Sequence, residues 1–292
     1  MDTVHFYHYA TKGLESDLLF SSVKSFIAGM NRVALCYSKA LYSFPLKIIC
    51  FCLMDNHVHF IFHGLEENCD KFMNLFKKLT EIWLTNHPEE GTPGKKWEIG
   101  HWGISDKESL VEKINYVHRN AMAAGMAFTP SGYRWSTGNL LFSDKTFIKE
   151  VGRRIGDLGI TEKRKMFDSK IQVPDEWIVL PDGIIWPGCY TEYRYVEKLF
   201  KGVVNYQYEL NRHIEDKVNL EVMEDYVSLP DNEVRAKAIA YASELFGKGR
   251  ISDLSVKQRQ EVAKRLKKET GTSTKQISRI VRLKYEDLKL LI

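Results

Sequence analysis

The chain has 292 residues, 44% of them hydrophobic and 12% aromatic, enough to bury one large core or two smaller ones, with the length favouring two. Nothing approaches the roughly 18 consecutive apolar residues of a membrane span, and residues 1–14 lack the basic-then-apolar build of a signal peptide, so a cytoplasmic protein is expected. The net charge of +4 is uneven: residues 232–292 carry 15 Lys+Arg against 7 Asp+Glu, or +8, which leaves 27 against 31, or −4, elsewhere, a distribution that suits a polyanionic partner such as nucleic acid.

Residues 4–9 alternate aromatic, β-branched and histidine side chains, a strand signal ended by Lys12-Gly13. Ser16-Asp17 then opens an amphipathic helix to about residue 38, with Leu19, Val23, Phe26 and Ile27 at helical spacing. After Pro45, the apolar runs 46–53 and 57–62 flank a polar break at Asp55-Asn56 and predict two adjacent antiparallel strands. A helix over 70–86 buries Phe72, Leu75, Phe76, Leu79, Ile82 and Trp83 and stops before His87-Pro88. Residues 89–96 are a loop. Ser105 and Glu108 form a capping-box pattern for a helix over 107–124 ended by Gly125, with a closing strand or extended segment over 126–133. This order fits an α+β class with a ferredoxin-like antiparallel sheet and packed helices.

Residues 143–231 carry weaker signals: a basic helical piece, a stretch over 173–190 containing Pro174, Pro181 and Pro187, and a helix around 191–211. They are expected to form a connecting subdomain between a domain over 1–142 and a helical domain over 232–292. In the last, helices over 233–246, 255–270 and 274–283 are expected. The short turn at 271–273 gives the final pair a helix-turn-helix pattern with the last as recognition helix. Lys275, Arg279, Arg282 and Lys284 are its candidates for phosphate or base contact, with duplex DNA as partner. The five cysteines include no CxxC pair, so neither a disulfide framework nor a zinc knuckle is indicated.

Two short motifs carry chemistry. In Met54-Asp55-Asn56-His57-Val58-His59-Phe60-Ile61-Phe62, the histidines stand two apart on a strand and share one face. In Ile114-Asn115-Tyr116-Val117-His118-Arg119-Asn120, Tyr116 and Asn120 stand one helical turn apart and project together. His118 points off that face and is expected at the surface or against DNA. If this helix packs over the histidine strand, Asn120 becomes a third metal ligand and Tyr116 a nucleophile beside it.

Together with Tyr133-Arg134-Trp135-Ser136, these motifs resemble in order and spacing those of the HUH single-tyrosine transposases, within them the REP-associated tyrosine transposase group of insertion-sequence relatives. The resemblance spans about residues 4–142. It implies that His57, His59 and Asn120 hold a divalent metal, Mg²⁺ or Mn²⁺, and that Tyr116 attacks single-stranded or hairpin DNA to form a 5′-phosphotyrosine. It also makes Lys12, after the first strand, and Arg119 candidates for DNA contact. The chain departs from the group at Asp55 and Ala121, where proline is usual, and at Ala123, where arginine is common. The metal ligands and the tyrosine survive these departures, whereas Ala123, and Thr11-Lys12-Gly13 where the group often has Ser or Thr, Arg, Gly, bear on recognition of DNA ends rather than on chemistry. A monomer and a homodimer both fit, and the alternative function is a DNA-binding regulator that works through its C-terminal helices.

Overall fold

The computed structural model describes residues 4–12, 18–91, 98–211, 231–270, 272 and 274–291. The chain divides into two compact units. Of the described residues, one takes those before Gly13, those over Leu18–Asn120 and those over Thr129–Tyr206, and the other takes Ala121–Phe128 and those from Gln207 onward.

The first unit is organised by four strands, β1 (His5–Lys12), β2 (Leu46–Leu53), β3 (Val58–Gly64) and β4 (Glu98–Ile104), in the antiparallel order β2-β3-β1-β4. Helix α1 (Val23–Ser43) connects β1 to β2, and α2 (Glu66–Asn86) leads from β3 towards β4. That order and connectivity are those of the expected ferredoxin-like α+β sheet. The fourth strand is not where the sequence reading put it. It precedes the third helix, α3 (Lys107–Ala123), whereas the extended segment expected over 126–133 consists of turns and a single 3-10 turn at Pro130–Gly132. There Pro130 has no N–H for a ladder, and the Thr129 side chain accepts the Gly132 N–H instead.

Alternation along the strands sorts side chains between two faces. Val58, Phe60 and Phe62 of β3, with Tyr7 and Tyr9 of β1 and Phe51 of β2, join Met30, Val33, Ala34, Phe72 and Phe76 of α1 and α2 in one buried core. On the opposite face the register puts Cys52, His59, Ala10 and Gly100 in one lateral row, and Ile61, His8 and Trp102 in the next.

Helix α1 begins at Val23 because the Ser22 and Ser25 side chains cap each other's backbone N–H groups; the expected opening at Ser16-Asp17 falls outside the described residues. Helix α2 starts at Glu66, four residues earlier than expected, with Glu66 and Glu67 where the helix dipole favours acids. At the start of α3 the Asp106 carboxylate accepts the Ser109 N–H at 2.7 Å, so the capping residue is Asp106 rather than Ser105. Gly125, at φ 66°, follows the end of α3.

Three further helices, α4 (Thr146–Val151), α5 (Ile160–Phe167) and α6 (Tyr193–Phe200), lie in the stretch expected to connect two domains. Ile155, Leu158, Phe167, Trp177, Ile185 and Tyr190 of this stretch belong to the same core as the sheet. Asn31 of α1 ties it down, donating to the Gly183 carbonyl and accepting the Ile185 N–H, each at 2.9 Å. The helix expected over 191–211 is two helices, broken where Lys201 and Gly202 take φ of 59° and 145° before α7 (203–211) begins.

In the second unit α8 (Asp231–Phe246), α9 (Val256–Thr270) and α10 (Thr274–Val281) start and stop within two residues of expectation, and α11 (Tyr285–Lys289) is additional. Val234, Ala238, Val262, Leu266, Ile277 and Val281 form their core. Helix α10 stops at Val281 because Arg282 turns left-handed, at φ 63°, and the N–H groups of Arg282 and Leu283 both close on the Ser278 carbonyl. Arg282 therefore lies beyond the helix expected over 274–283, and Lys284 follows it as expected.

Candidate active site

His57 sits immediately before β3 and His59 within it. The Met54 N–H donates to the His57 carbonyl at 2.8 Å, and the Thr11 hydroxyl accepts the Val58 N–H at 3.0 Å, which fixes the entry to the strand. The two imidazoles lie 4.9 Å apart, centre to centre, and perpendicular. His57 Nδ1 is 2.6 Å from Asn56 Oδ1. That oxygen can only accept, so Nδ1 carries a proton. His59 Nδ1 is 3.1 Å from His8 Nε2, while its Nε2 is enclosed without a hydrogen bond of good geometry. Burial first, then His57 and His8, hold the His59 pKa well below its ordinary value, and the Asn120 side chain pulls weakly the other way. The result is a neutral ring, the form that binds metal.

Helix α3 brings the second pair of residues to this face. The Tyr116 ring stands edge-on to His59 at 5.4 Å and to His8 at 5.7 Å, and is 44% exposed. Asn120 donates its amide N–H to the Tyr116 carbonyl at 2.8 Å, which commits the nitrogen and makes Oδ1 the atom of this side chain that could accept or ligate. Burial raises the Tyr116 pKa above 10, so the phenol keeps its proton. Lys113 Nζ lies 5.9 Å from the centre of its ring. The four residues proposed from the sequence thus come together in one cluster.

His118 is not at the surface as expected. It is fully buried, with Nε2 3.1 Å from the Thr137 hydroxyl and Nδ1 2.9 Å from Tyr206 Oη, and burial lowers its pKa to about 3. It lies about 200° around the helix from Tyr116, so its contacts set the rotation of α3. The Tyr133–Ser136 segment also has a structural role along β2. Tyr133 Oη donates to the Leu53 carbonyl at 2.8 Å, the Leu53 N–H donates to the Trp135 carbonyl at 2.9 Å, and Ser136 Oγ donates to the Phe51 carbonyl at 3.1 Å. Trp135 stacks on Phe26 at 4.9 Å.

Of the DNA-contact candidates, Arg119 is half-buried on α3, and burial lowers its pKa against the pull of Glu112. Lys12 closes β1 opposite Glu98. Arg279 is exposed on α10, four residues after Lys275 on the same helix. The sequence reading did not single out His8, Trp102 or Lys113. His8 and Trp102 share a strand face with His59, a signal that needs the pairing register. Lys113 precedes Tyr116 by three, a helical neighbour that spacing alone could have flagged.

Among the described residues no group of three or more His, Cys, Asp or Glu could hold a metal ion; beside the two imidazoles α3 brings the Asn120 amide. The residue types grouped here fit a divalent ion: the His57 imidazole, the His59 imidazole with its enclosed Nε2, and the Asn120 side-chain oxygen. Such a set is neutral and leaves the ion's charge for phosphate oxygens.

No family model and no curated protein matches the chain. One solved structure, described as a REP-associated tyrosine transposase bound to a REP hairpin, is similar over 46% of this chain and 76% of its own, at 12% identity and a TM-score of 0.34. Among the described residues no helix is long and apolar enough to cross a membrane.

Proposed function

We propose that the chain is a metal-dependent DNA strand transferase, a transposase or a domesticated relative of one, that cuts and rejoins single-stranded or hairpin DNA through Tyr116. The observation that carries this reading is the convergence of Tyr116 and Asn120, from one turn of α3, on His59 at the centre of the sheet.

Tyr116 Oη attacks the scissile phosphorus, a P–O bond to tyrosine forms and the bond to the 3′ oxygen breaks. The phenol proton leaves to solvent, and the 3′ oxygen takes one up. The product is a 5′-phosphotyrosine and a free 3′-hydroxyl, and attack by a 3′-hydroxyl reverses the step without an external energy source. His57, His59 and Asn120 would hold Mg²⁺ or Mn²⁺, which when bound supplies charge withdrawal from a phosphate oxygen. The protein's own residues do the rest. Half-exposure of Tyr116 admits the backbone, the edge-on imidazoles fix the ring, and Lys113 adds positive charge that favours the phenolate as the phosphate arrives. In the second unit Lys275 and Arg279 on α10 would contact the phosphates of a duplex element.

The test is incubation with labelled hairpin DNA from the sequences flanking the gene, with Mn²⁺ or with chelator, followed by a denaturing gel. A metal-dependent, protease-sensitive covalent adduct, absent for Tyr116→Phe, is the expected result. Tight binding with no adduct would make the protein a DNA-binding regulator instead.

A further inference from the structure

Beyond the stretch that resembles a known family, the first unit holds a second concentration of charge. Helix α6 carries Arg194 and Lys198, and Lys201 caps its C-terminus, so three exposed cations follow one another at about one helical turn. With Phe142, Glu197 and Gly202 they line an open cleft of about 610 Å³. Glu197 is the only acid among these residues, and it is already engaged. Its Oε1 accepts the Phe142 N–H at 2.8 Å and pairs with Lys145 Nζ at 3.1 Å. Lys145 is held in turn, donating to the Ser143 carbonyl at 3.1 Å and lying 4.8 Å from the centre of the Tyr193 ring. Arg194 donates its Nε–H to Tyr193 Oη at 3.2 Å, which steadies the guanidinium through one of its five donors. Among the described residues no carboxylate stands at ion-pair distance from Arg194, Lys198 or Lys201, so the cleft keeps their charge for a ligand.

The backbone gives an independent sign. Phe142 and Lys201, at φ 53° and 59°, are two of the four non-glycine residues with left-handed backbone among the described residues, and both line this cleft. Such conformations persist where surrounding contacts impose them, and they gather at ligand sites. The shape says which anion fits. From Arg194 to Lys201 the chain advances about 10 Å along the helix axis, the length of about three phosphates on one strand of a duplex at roughly 3.4 Å each. A compact polyphosphate would draw its cations around one point, whereas these form a row. Phe142 carries the only ring among the lining residues, and that ring packs against Tyr206 at 5.7 Å. The cleft therefore offers charge without a free stacking surface, unlike a single-strand channel. Helix α6 also lies on the side of the sheet where Tyr116 stands, since its Tyr195 stacks on Phe6 of β1 at 6.2 Å and Phe6 shares a strand face with His8.

We infer that this cleft is a phosphate-binding site for the backbone of one strand of a hairpin stem, with Arg194, Lys198 and Lys201 as its cations. This rests on the reading of the chain as a DNA-handling protein and names the paired part of its substrate as a contact of the first unit. The three residues hold the DNA by its backbone, without reading sequence, and take no part in phosphoryl transfer.

The experiment follows the anisotropy of a labelled hairpin, and of a labelled duplex of unrelated sequence, across a range of salt. The full chain carries Tyr116→Phe so that the DNA stays intact. It is compared with the same chain bearing Arg194→Gln, Lys198→Gln and Lys201→Gln, and with a control bearing Lys39→Gln, Lys71→Gln and Lys78→Gln. The control removes equal charge from exposed positions of α1 and α2, which pack on the opposite face of the sheet. In the cleft variant the slope of log affinity against log salt should shrink by about 1 for each cation lost, alike for both DNAs, and in the control it should barely move. Lys198→Arg with Lys201→Arg should keep the starting slope, and a loss there too would overturn the charge argument. Equal slopes in the cleft and control variants would overturn the cleft while leaving the role of Tyr116 intact. Calorimetry with inorganic tripolyphosphate tests the other source of phosphate: binding that the cleft variant loses while its DNA slope is unchanged would make this a small-anion site and overturn the backbone assignment. A starting protein that binds neither DNA at any salt would overturn the strand-transferase reading and the cleft with it.

Discussion

The sheet face of the first unit and the basic helices of the second are both candidates for handling DNA, and they are built in opposite ways. At the sheet face, side chains from β1, β3, β4 and α3 meet within a few ångströms, and most are fixed by a further partner: Asn56 for His57, His8 for His59, the Tyr116 carbonyl for Asn120. In the second unit the basic side chains ride on short helices around a small core, and Arg265 spends its charge on Glu244 and Glu269. The first arrangement suits one geometry and one reaction. The second suits attraction to a backbone whose register it need not fix.

That contrast can be broken most directly at the nucleophile. Tyr116→Phe removes one oxygen from the first region and is expected to lower adduct formation on the order of a thousandfold or more, with hairpin affinity unchanged in a filter or anisotropy assay. Next, His59→Ala should weaken Mn²⁺ binding by about 10–100-fold or more, as read by calorimetry on DNA-free protein, and His8→Ala should reproduce part of that loss through the ring it orients. A preserved Mn²⁺ isotherm in the His59→Ala protein would remove the metal from this face.

Replacing Lys275 and Arg279 together with alanine probes the other side of the comparison. Duplex affinity should fall uniformly across sequences, and the slope of log affinity against log salt should shrink by about 0.9 for each phosphate no longer neutralised, while adduct formation at saturating hairpin stays as it was. A change in sequence preference without a change in salt slope would turn these residues from backbone contacts into base readers.

His118 gives a smaller effect, on stability. Because burial holds its folded pKa near 3 against an ordinary value of 6.5, folding requires the neutral ring. The contribution is complete above about pH 6.5 and is lost progressively as pH falls from there towards 3. Thermal unfolding midpoints should therefore drop across that window, and His118→Ala should flatten the dependence at a cost of about 1–3 kcal/mol near neutrality. The smallest expected change is Tyr133→Phe, which deletes one hydrogen bond to the Leu53 carbonyl and about 1 kcal/mol of stability, with no effect on adduct yield per folded molecule.

Legibility in the sequence followed the range of the interactions involved. Strands β2 and β3 and the three longer C-terminal helices were readable because hydrophobic period and turn residues are local. Strand β4 was not, since Gly100 and Gly103 interrupt it and its two β-branched residues, Ile99 and Ile104, fall on opposite faces, so no alternation marks it. The segment 126–133 cannot serve as the closing strand, because Pro130 opens a 3-10 turn there. At the site, the motif residues within β3 and α3 could be paired by spacing, whereas His8 and Trp102 join them only through strand register, which no single segment encodes. His118 was misplaced because helical phase shows that it faces away from Tyr116 but not what lies on that side; the Thr137 and Tyr206 hydroxyls that enclose it come from 19 and 88 residues further on.

The pinning of α3 has a consequence for how this chain can change. A helix turns about 100° with each residue, and α3 is held at the back by His118 and reads out at the front through Tyr116 and Asn120. Swapping an outward-facing residue such as Glu112 leaves that phase alone. Adding or removing one residue between Tyr116 and His118 rotates the front against the back by more than a quarter turn and carries the phenol off the sheet. Insertions and deletions should therefore be excluded from this one helix far more strictly than substitutions are, and the number of residues it contains is as much a part of the site as their chemistry.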